Sequence, residues 1–318
     1  MSTSELLRGE GLPRFDAIDP EQVNNEIPAL LTTLNDQLET LETSLQERLS
    51  DAAPMSWGEL MPNLHQLGER LRWSWGVVSH LTGVRNTPEL REAHAQQQPE
   101  VVRFSNRLGQ SQVLHEALSR LKSRPAHPLD STQTRILDAE LLSMQHRGVG
   151  LKGEEQADFN RTSERLAALS TSFSNHVLDA TQAWSLVIHE REQLRGVPDR
   201  ALEILASAAA EAGDQGADGS APTASEGPWR LGLDMPRYIP VITHAEDRQL
   251  RETLYKAHVS RASSGDLDNA PLIEEILQLR REQASRLGYA SWAELSLASK
   301  MADDVPAVES LLEELRAS

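Results

Sequence analysis

The side chains best able to bind a metal or move a proton near neutral pH are ten histidines, at His65, His80, His94, His115, His127, His146, His176, His189, His244 and His258. Two imidazoles hold one zinc from a single helix when they lie a turn apart. This is the arrangement in H-E-x-x-H, where the glutamate activates the metal-bound water. No two histidines here have that spacing: the nearest pair, His115 and His127, is 12 positions apart. His115-Glu116 and His189-Glu190 each lack the second histidine. A zinc site assembled from distant residues is the alternative. His176 sits near the apolar stripe of its helix, where a histidine ordinarily hydrogen-bonds a neighbour.

Other chemistries leave few candidates. There is no cysteine, hence no thiol nucleophile, thiolate metal site or disulfide. Gly148, Gly150 and Gly153 spell a formal G-x-G-x-x-G. A dinucleotide fingerprint requires a strand before that pattern, whereas a helix ending near Arg147 precedes it, so a helix-to-helix loop is expected. Neither a Gly-Lys-Ser/Thr phosphate loop nor a Gly-x-Ser-x-Gly elbow occurs. The acid pairs Glu154-Glu155, Glu274-Glu275 and Glu313-Glu314 are expected on solvated helix faces. Trp73 and Trp75 are expected to pack in a core rather than line a groove, and the Tyr238 and Tyr255 phenols are read as structural. No catalytic or metal-binding residue is therefore assigned, and the substrate-binding residues stay unknown.

The elements that carry these side chains are mostly helices. Val23, Ile27, Leu30, Leu34, Leu38, Leu41 and Leu45 share one helical face. Asp19 is the expected N-cap of that helix, with Pro20 at its first position, Gln22 completing a capping box and Pro28 a kink. A second helix is expected from Ser56, with Glu59 in a capping box and a stripe from Leu60 to Leu81. A turn comes next at 83–88. Further helices are expected at 99–122, 131–147 and 155–182. Alternation at 184–188 and 229–233 predicts two short strands flanking a helix near 198–211, in a relative direction that the pattern leaves open. The small and polar stretch 212–227 reads as a flexible surface insert. Helices resume after Pro236, Tyr238 and Pro240, at 246–262, 270–288 and 291–300. The segment Val305–Arg316 sets Val308, Leu311, Leu312 and Leu315 on one side and reaches Ser318 without a stop signal, as if the chain ended within an element.

Composition bounds the partners. The 318 residues suffice for about two domains. A net charge of −17 opposes nucleic acid and anionic membranes, neither of which is expected as a partner. The start, Met1 to Glu10, has no leader pattern and no apolar run reaches membrane-spanning length, so a cytoplasmic protein is expected.

The residues also carry a resemblance. Gly11-Leu12-Pro13-Arg14-Phe15-Asp16-Ala17-Ile18-Asp19-Pro20-Glu21 resembles the opening of the oligopeptidase A members of the thimet oligopeptidase family of zinc peptidases. Further matches occur in order along the chain. They are Gly148-Val149-Gly150-Leu151, then Leu169 to Thr181, then Leu233-Asp234-Met235-Pro236-Arg237-Tyr238-Ile239-Pro240-Val241. Arg248 to Tyr255, Arg261-Ala262-Ser263, Asp268-Asn269, Ile273 to Leu277, Leu287-Gly288-Tyr289 and Leu295 to Ala302 complete the series. The resemblance implies a mainly α fold of layered long helices with a small β element, like the amino-terminal lobe of the neurolysin/thimet oligopeptidase fold. Short peptides would enter a channel between two lobes and be cut by zinc-bound water. The family's zinc ligands, H-E-x-x-H and a downstream glutamate, belong to its second half, so no role transfers to any residue here.

On this resemblance the chain is expected to divide into a helical channel-wall region at 1–183, a strand-containing region at 184–241 with its insert at 212–227, and the start of a further helical region at 242–318. The chain would be the noncatalytic amino-terminal part of the enzyme. Alone it is expected to be inactive, to bind no zinc, and to be helical but aggregation-prone or loosely packed through its uncovered helix faces. Its partners would be short peptides in the complete enzyme and a catalytic carboxyl-terminal half. The alternative is a stand-alone helical protein that binds peptides or pairs with a peptidase.

Overall fold

The computed structural model describes residues 4–51 and 53–317. Met1 to Thr3, Ala52 and Ser318 lie outside the described residues, and with them part of what was expected of the two chain ends. The chain divides into two compact units, one holding residues up to Ala168 together with those from Leu277 on, the other spanning Leu169–Ile276.

The first unit is built on α1, Pro20–Ser50, which begins as its sequence dictates. The Asp19 carboxylate accepts from the Gln22 backbone N–H at 2.9 Å while the Gln22 side chain accepts from the Asp19 N–H at 3.0 Å. The helix runs through Pro28 without interruption and buries Val23, Ile27, Leu30, Leu34, Leu38 and Leu45. Its partners are α2 (Trp57–Val84), α3 (Pro88–Gly109) and α4 (Gln112–Ser123), with α5 (Ser131–His146) against α3 and α4. Leu34, Leu38, Leu60, Leu118 and Leu121 are fully enclosed in one apolar core.

Two expectations are corrected here. Ser56 caps α2 by position but makes no side-chain cap bond, and the Glu59 carboxylate that would close the box pairs with Arg48. The segment 99–122 is two helices: the chain breaks at Gln110-Ser111, where the Ser111 hydroxyl accepts from the Leu114 N–H at 3.2 Å and starts α4 afresh. Apolar spacing continues across this break, so the period alone conceals it.

Beyond α5 come α6 (Gly153–Ala183) and, later, α10 (Ala270–Arg286), each of which crosses from one unit to the other. In the second unit β1 (Leu186–Ile188) pairs antiparallel with β2 (Trp229–Leu231), setting Ile188 opposite Trp229. Between them α7 (Asp199–Glu211) packs on β2 and on α8 (Met235–His244). α9 is Arg248–Val259. Sequence reasoning took 236–240 as a break, yet it lies within α8. Pro236 occupies the first turn, where no backbone donor is needed, and the helix also accommodates Pro240. Trp229, Leu231, Leu254 and Val241 form the centre of this unit's core.

The stretch 212–227 is fastened at both ends. Asp214 takes two hydrogen bonds from Arg230, both 2.7 Å, and the Ala224 carbonyl accepts from the indole of the buried Trp229 at 3.2 Å. The chain continues through α11 (Trp292–Leu297) to α12 (Val305–Ala317), which buries no residue. Leu311 and Leu312 are 57% and 59% exposed.

Candidate functional site

The histidines do not converge. Each of the more enclosed ones has an organic neighbour in place of a second metal-binding group. The His94 ring, buried on α3, stacks on Trp75 at a centroid distance of 4.6 Å, and burial lowers its pKa below 6.5. His146 shares a 2.8 Å hydrogen bond with the Tyr289 hydroxyl, and burial lowers its pKa as well. His176 Nδ1 lies 2.9 Å from Asn269 Oδ1, the hydrogen-bonded neighbour expected for it. His258 stacks on Tyr238 at 4.1 Å, with its pKa lowered by burial and by the charge of Arg261.

A zinc ion needs three or four His, Asp or Glu ligands closing around one point. No group of three or more such residues that could hold a metal exists among the described residues.

The glycine pattern is a connection between helices. Gly148, in the left-handed region at φ +79, ends α5, and Gly153 opens α6. Of the aromatic candidates, Trp75 corrects the expectation: it is half-buried against the core but also lines a cleft, whereas Tyr238 is buried and Tyr255 is 55% exposed.

A concave surface of the first unit lies elsewhere, along the seam between α3 and α5. One cleft of about 910 Å³ runs from α2 to that seam, lined by Leu64, Leu71, Trp75, Val101, Phe104 and Arg147 among others. A second, of about 620 Å³, continues beyond it, lined by Asn106, His146, Phe159, Ser163, Gln283 and Ser299 among others. Val101, Ser105, Ser143 and Arg147 line both, so the two adjoin across these residues.

Two polar groups at this seam, the Asn106 amide nitrogen and the Arg147 guanidinium, are left without a hydrogen bond or an ion pair, respectively, among the described residues. Asn106 is 4% exposed, and its side-chain nitrogen is buried without a hydrogen-bond partner among the described residues. The Arg147 guanidinium makes no ion pair among the described residues, and Glu140 is the carboxylate whose charge it feels. Its path is built in. A Cβ added to Gly109 would lie 2.2 Å from Arg147 Cδ, so only glycine lets the arginine stem cross the end of α3. Gln110 Nε2 holds the Arg147 carbonyl at 2.8 Å and the Asn160 side-chain oxygen at 2.7 Å. Sequence reasoning missed this site, because Arg147 and Gly109 are 38 positions apart and nothing in either local pattern connects them.

Comparison with known proteins places this geometry in context. Residues 27–156 match the family description "Neurolysin/Thimet oligopeptidase, N-terminal domain", and residues 241–318 match "Peptidase family M3". The chain is 39% identical to a probable cytosolic oligopeptidase A of Arabidopsis thaliana, over 100% of this chain and 44% of that protein. It is 40% identical to an organellar oligopeptidase A of the same plant, over 100% of this chain and 39% of that protein. Its identity to oligopeptidase A of Escherichia coli strain K12 is 36%, over 98% of this chain and 44% of that protein. The chain thus spans 39–44% of the length of these relatives.

Proposed function

We propose a function from one premise: this chain belongs to peptidase family M3 and corresponds to the amino-terminal part of an oligopeptidase A-like enzyme. In the complete enzyme it forms the noncatalytic wall of a channel that admits short peptides for hydrolysis at zinc. The catalytic ligands come from sequence outside these residues. In this reading residues 1–183 are the wall, 184–241 a small sheet-bearing region, and 242–318 the approach to the catalytic lobe. Alone the chain is inactive, and its compartment is the cytoplasm.

The observation that carries this reading is the ordered match to the two family descriptions, together with 39% identity along the whole chain. Two features support it. The sequence contains no H-E-x-x-H, so the family's metal chemistry has no counterpart among these residues. The face of α12 that carries Leu311 and Leu312 is apolar and exposed, as suits a helix that packs against further protein. Among the described residues no helix is long and apolar enough to cross a membrane.

The test is the zinc content and turnover of the purified chain with a quenched-fluorescence peptide of about ten residues. Background hydrolysis and substoichiometric zinc are expected. Zinc-dependent turnover by the pure chain would refute the reading and require a site built from the dispersed histidines.

A further inference from the structure

We propose that the two adjoining clefts of the first unit form one groove for the carboxyl end of a short apolar peptide, with Arg147 as the receptor of its terminal carboxylate. The proposal rests on the reading above only for the class of ligand. The site and its chemistry come from the groove itself.

One end of the groove is apolar, through Leu64, Leu71, Trp75 and Phe104. At its waist stands the guanidinium of Arg147, which has no ion-pair partner among the described residues. Guanidinium presents a planar fork of donors that matches the two oxygens of a carboxylate, and such charge-assisted pairs are about twice as strong as neutral hydrogen bonds. The arginine is also placed in advance: Gly109 clears its stem and Gln110 fixes its carbonyl at 2.8 Å. A side chain already positioned loses less freedom on binding.

Beyond the waist, Asn106 offers a buried amide nitrogen with no partner among the described residues. A buried donor left unmade costs about 1–3 kcal/mol. A peptide carbonyl is an acceptor that would satisfy it, and peptide carbonyls recur along any extended chain. With volumes of about 910 and 620 Å³ the clefts lie within the range of small-ligand sites, about 300–1,000 Å³.

Charge selects a carboxylate over a more highly charged anion. Two arginines line this cleft, and Arg72 is already paired with Glu69 at 2.9 Å, which leaves Arg147 as the guanidinium there without an ion pair among the described residues; Glu69, Glu140 and the net charge of −17 oppose an anion of more than one charge. The polar cleft of the second unit provides a contrast. Its arginines, Arg230 and Arg237, are already paired with Asp214 and Asp234.

The experiment is isothermal titration of the full 318-residue chain with the tripeptide Leu-Phe-Leu, as free acid and as carboxyl-terminal amide. The acid is expected to bind at least about tenfold more tightly than the amide, the scale of one hydrogen-bonded charge pair. Arg147→Met should reduce acid binding to the level of the amide and leave amide binding unchanged, and Arg147→Lys should retain part of the preference. Circular dichroism verifies that each variant is folded. Equal binding of acid and amide by the parent chain, absence of binding by either, or a preference that survives Arg147→Met would overturn the proposal. Because no hydrolysis is measured, these outcomes leave the proposed place of the chain in a peptidase standing, and a failed cleavage test would leave the groove standing.

Discussion

Glu42 on α1 receives two N–H groups of Arg107 on α3, one on each carboxylate oxygen, and the hydroxyl of Ser111, which itself caps α4. One carboxylate therefore ties three helices together at the break that the sequence conceals. Its side chain is 15% exposed and that of Arg107 43% exposed, so the pair lies between two limits. An exposed ion pair contributes about 0.2–1 kcal/mol, and a hydrogen bond to a charged group about 1.5–3 kcal/mol. Discounting the upper limit for solvent screening on the arginine side, Glu42→Gln should cost about 1–2 kcal/mol at pH 7. A double-mutant cycle with Arg107→Met should recover about 1 kcal/mol of coupling.

The pH dependence has a definite sign. Burial alone would raise the Glu42 pKa, but hydrogen bonds from Arg107 and Ser111 and the arginine charge outweigh it and hold the carboxyl below 4.5. The contribution is therefore complete above pH 4.5 and is lost as pH falls through the depressed folded-state value. Urea unfolding of parent and variant at pH 7 and at successively lower pH reads both quantities. A loss below about 0.3 kcal/mol at pH 7, smaller than even a typical exposed pair, would refute the reasoning. So would a loss that stays constant as pH falls toward 3.

Three further outcomes are expected of the same structure. His94 is kept neutral by burial, so below its ordinary pKa of 6.5 the unfolded chain takes up a proton that the folded chain refuses. Stability should fall as pH drops from 6.5, and His94→Gln should flatten that slope in urea titrations; an unchanged slope would contradict the assignment. Gly196 lies at φ +89 with a would-be Cβ 2.2 Å from the His244 backbone oxygen. Gly196→Ala should therefore lower stability by at least about 2 kcal/mol by urea unfolding, from left-handed strain and the clash together. Leu311→Lys with Leu312→Lys should reduce binding of an apolar-surface dye without changing helix content, since both side chains are more than half exposed. Undiminished dye signal would place the apolar surface elsewhere.

The parts of this fold that were legible in the sequence are those in which local chemistry and tertiary packing agree. Asp19, Pro20 and Gln22 announce the start of α1, and the observed box is the expected one. The alternation around Ile188 and Trp229 gives the two strands. Their antiparallel pairing was not legible, because it depends on where the chain returns. The break between α3 and α4 was hidden because Phe104, Leu114 and Leu118 all face one core on either side of it. α8 was hidden by its prolines, whose cost depends on position in the helix rather than on their presence. The groove at Arg147 was out of reach for a different reason: its defining features are a missing ion pair and a missing Cβ. Absences of this kind have meaning only once α3 and α5 are side by side.

The central claim, that this chain supplies the noncatalytic part of a family M3 peptidase, is tested most directly by mixing it with a separate chain that carries H-E-x-x-H and the remainder of an oligopeptidase A. Hydrolysis of a short quenched peptide is then followed with and without a zinc chelator. The account predicts that neither chain alone is active, that the mixture cleaves the peptide, and that chelation abolishes cleavage. A mixture whose two chains form a stable complex yet remain inactive, or activity equal to that of the H-E-x-x-H chain alone, would contradict it.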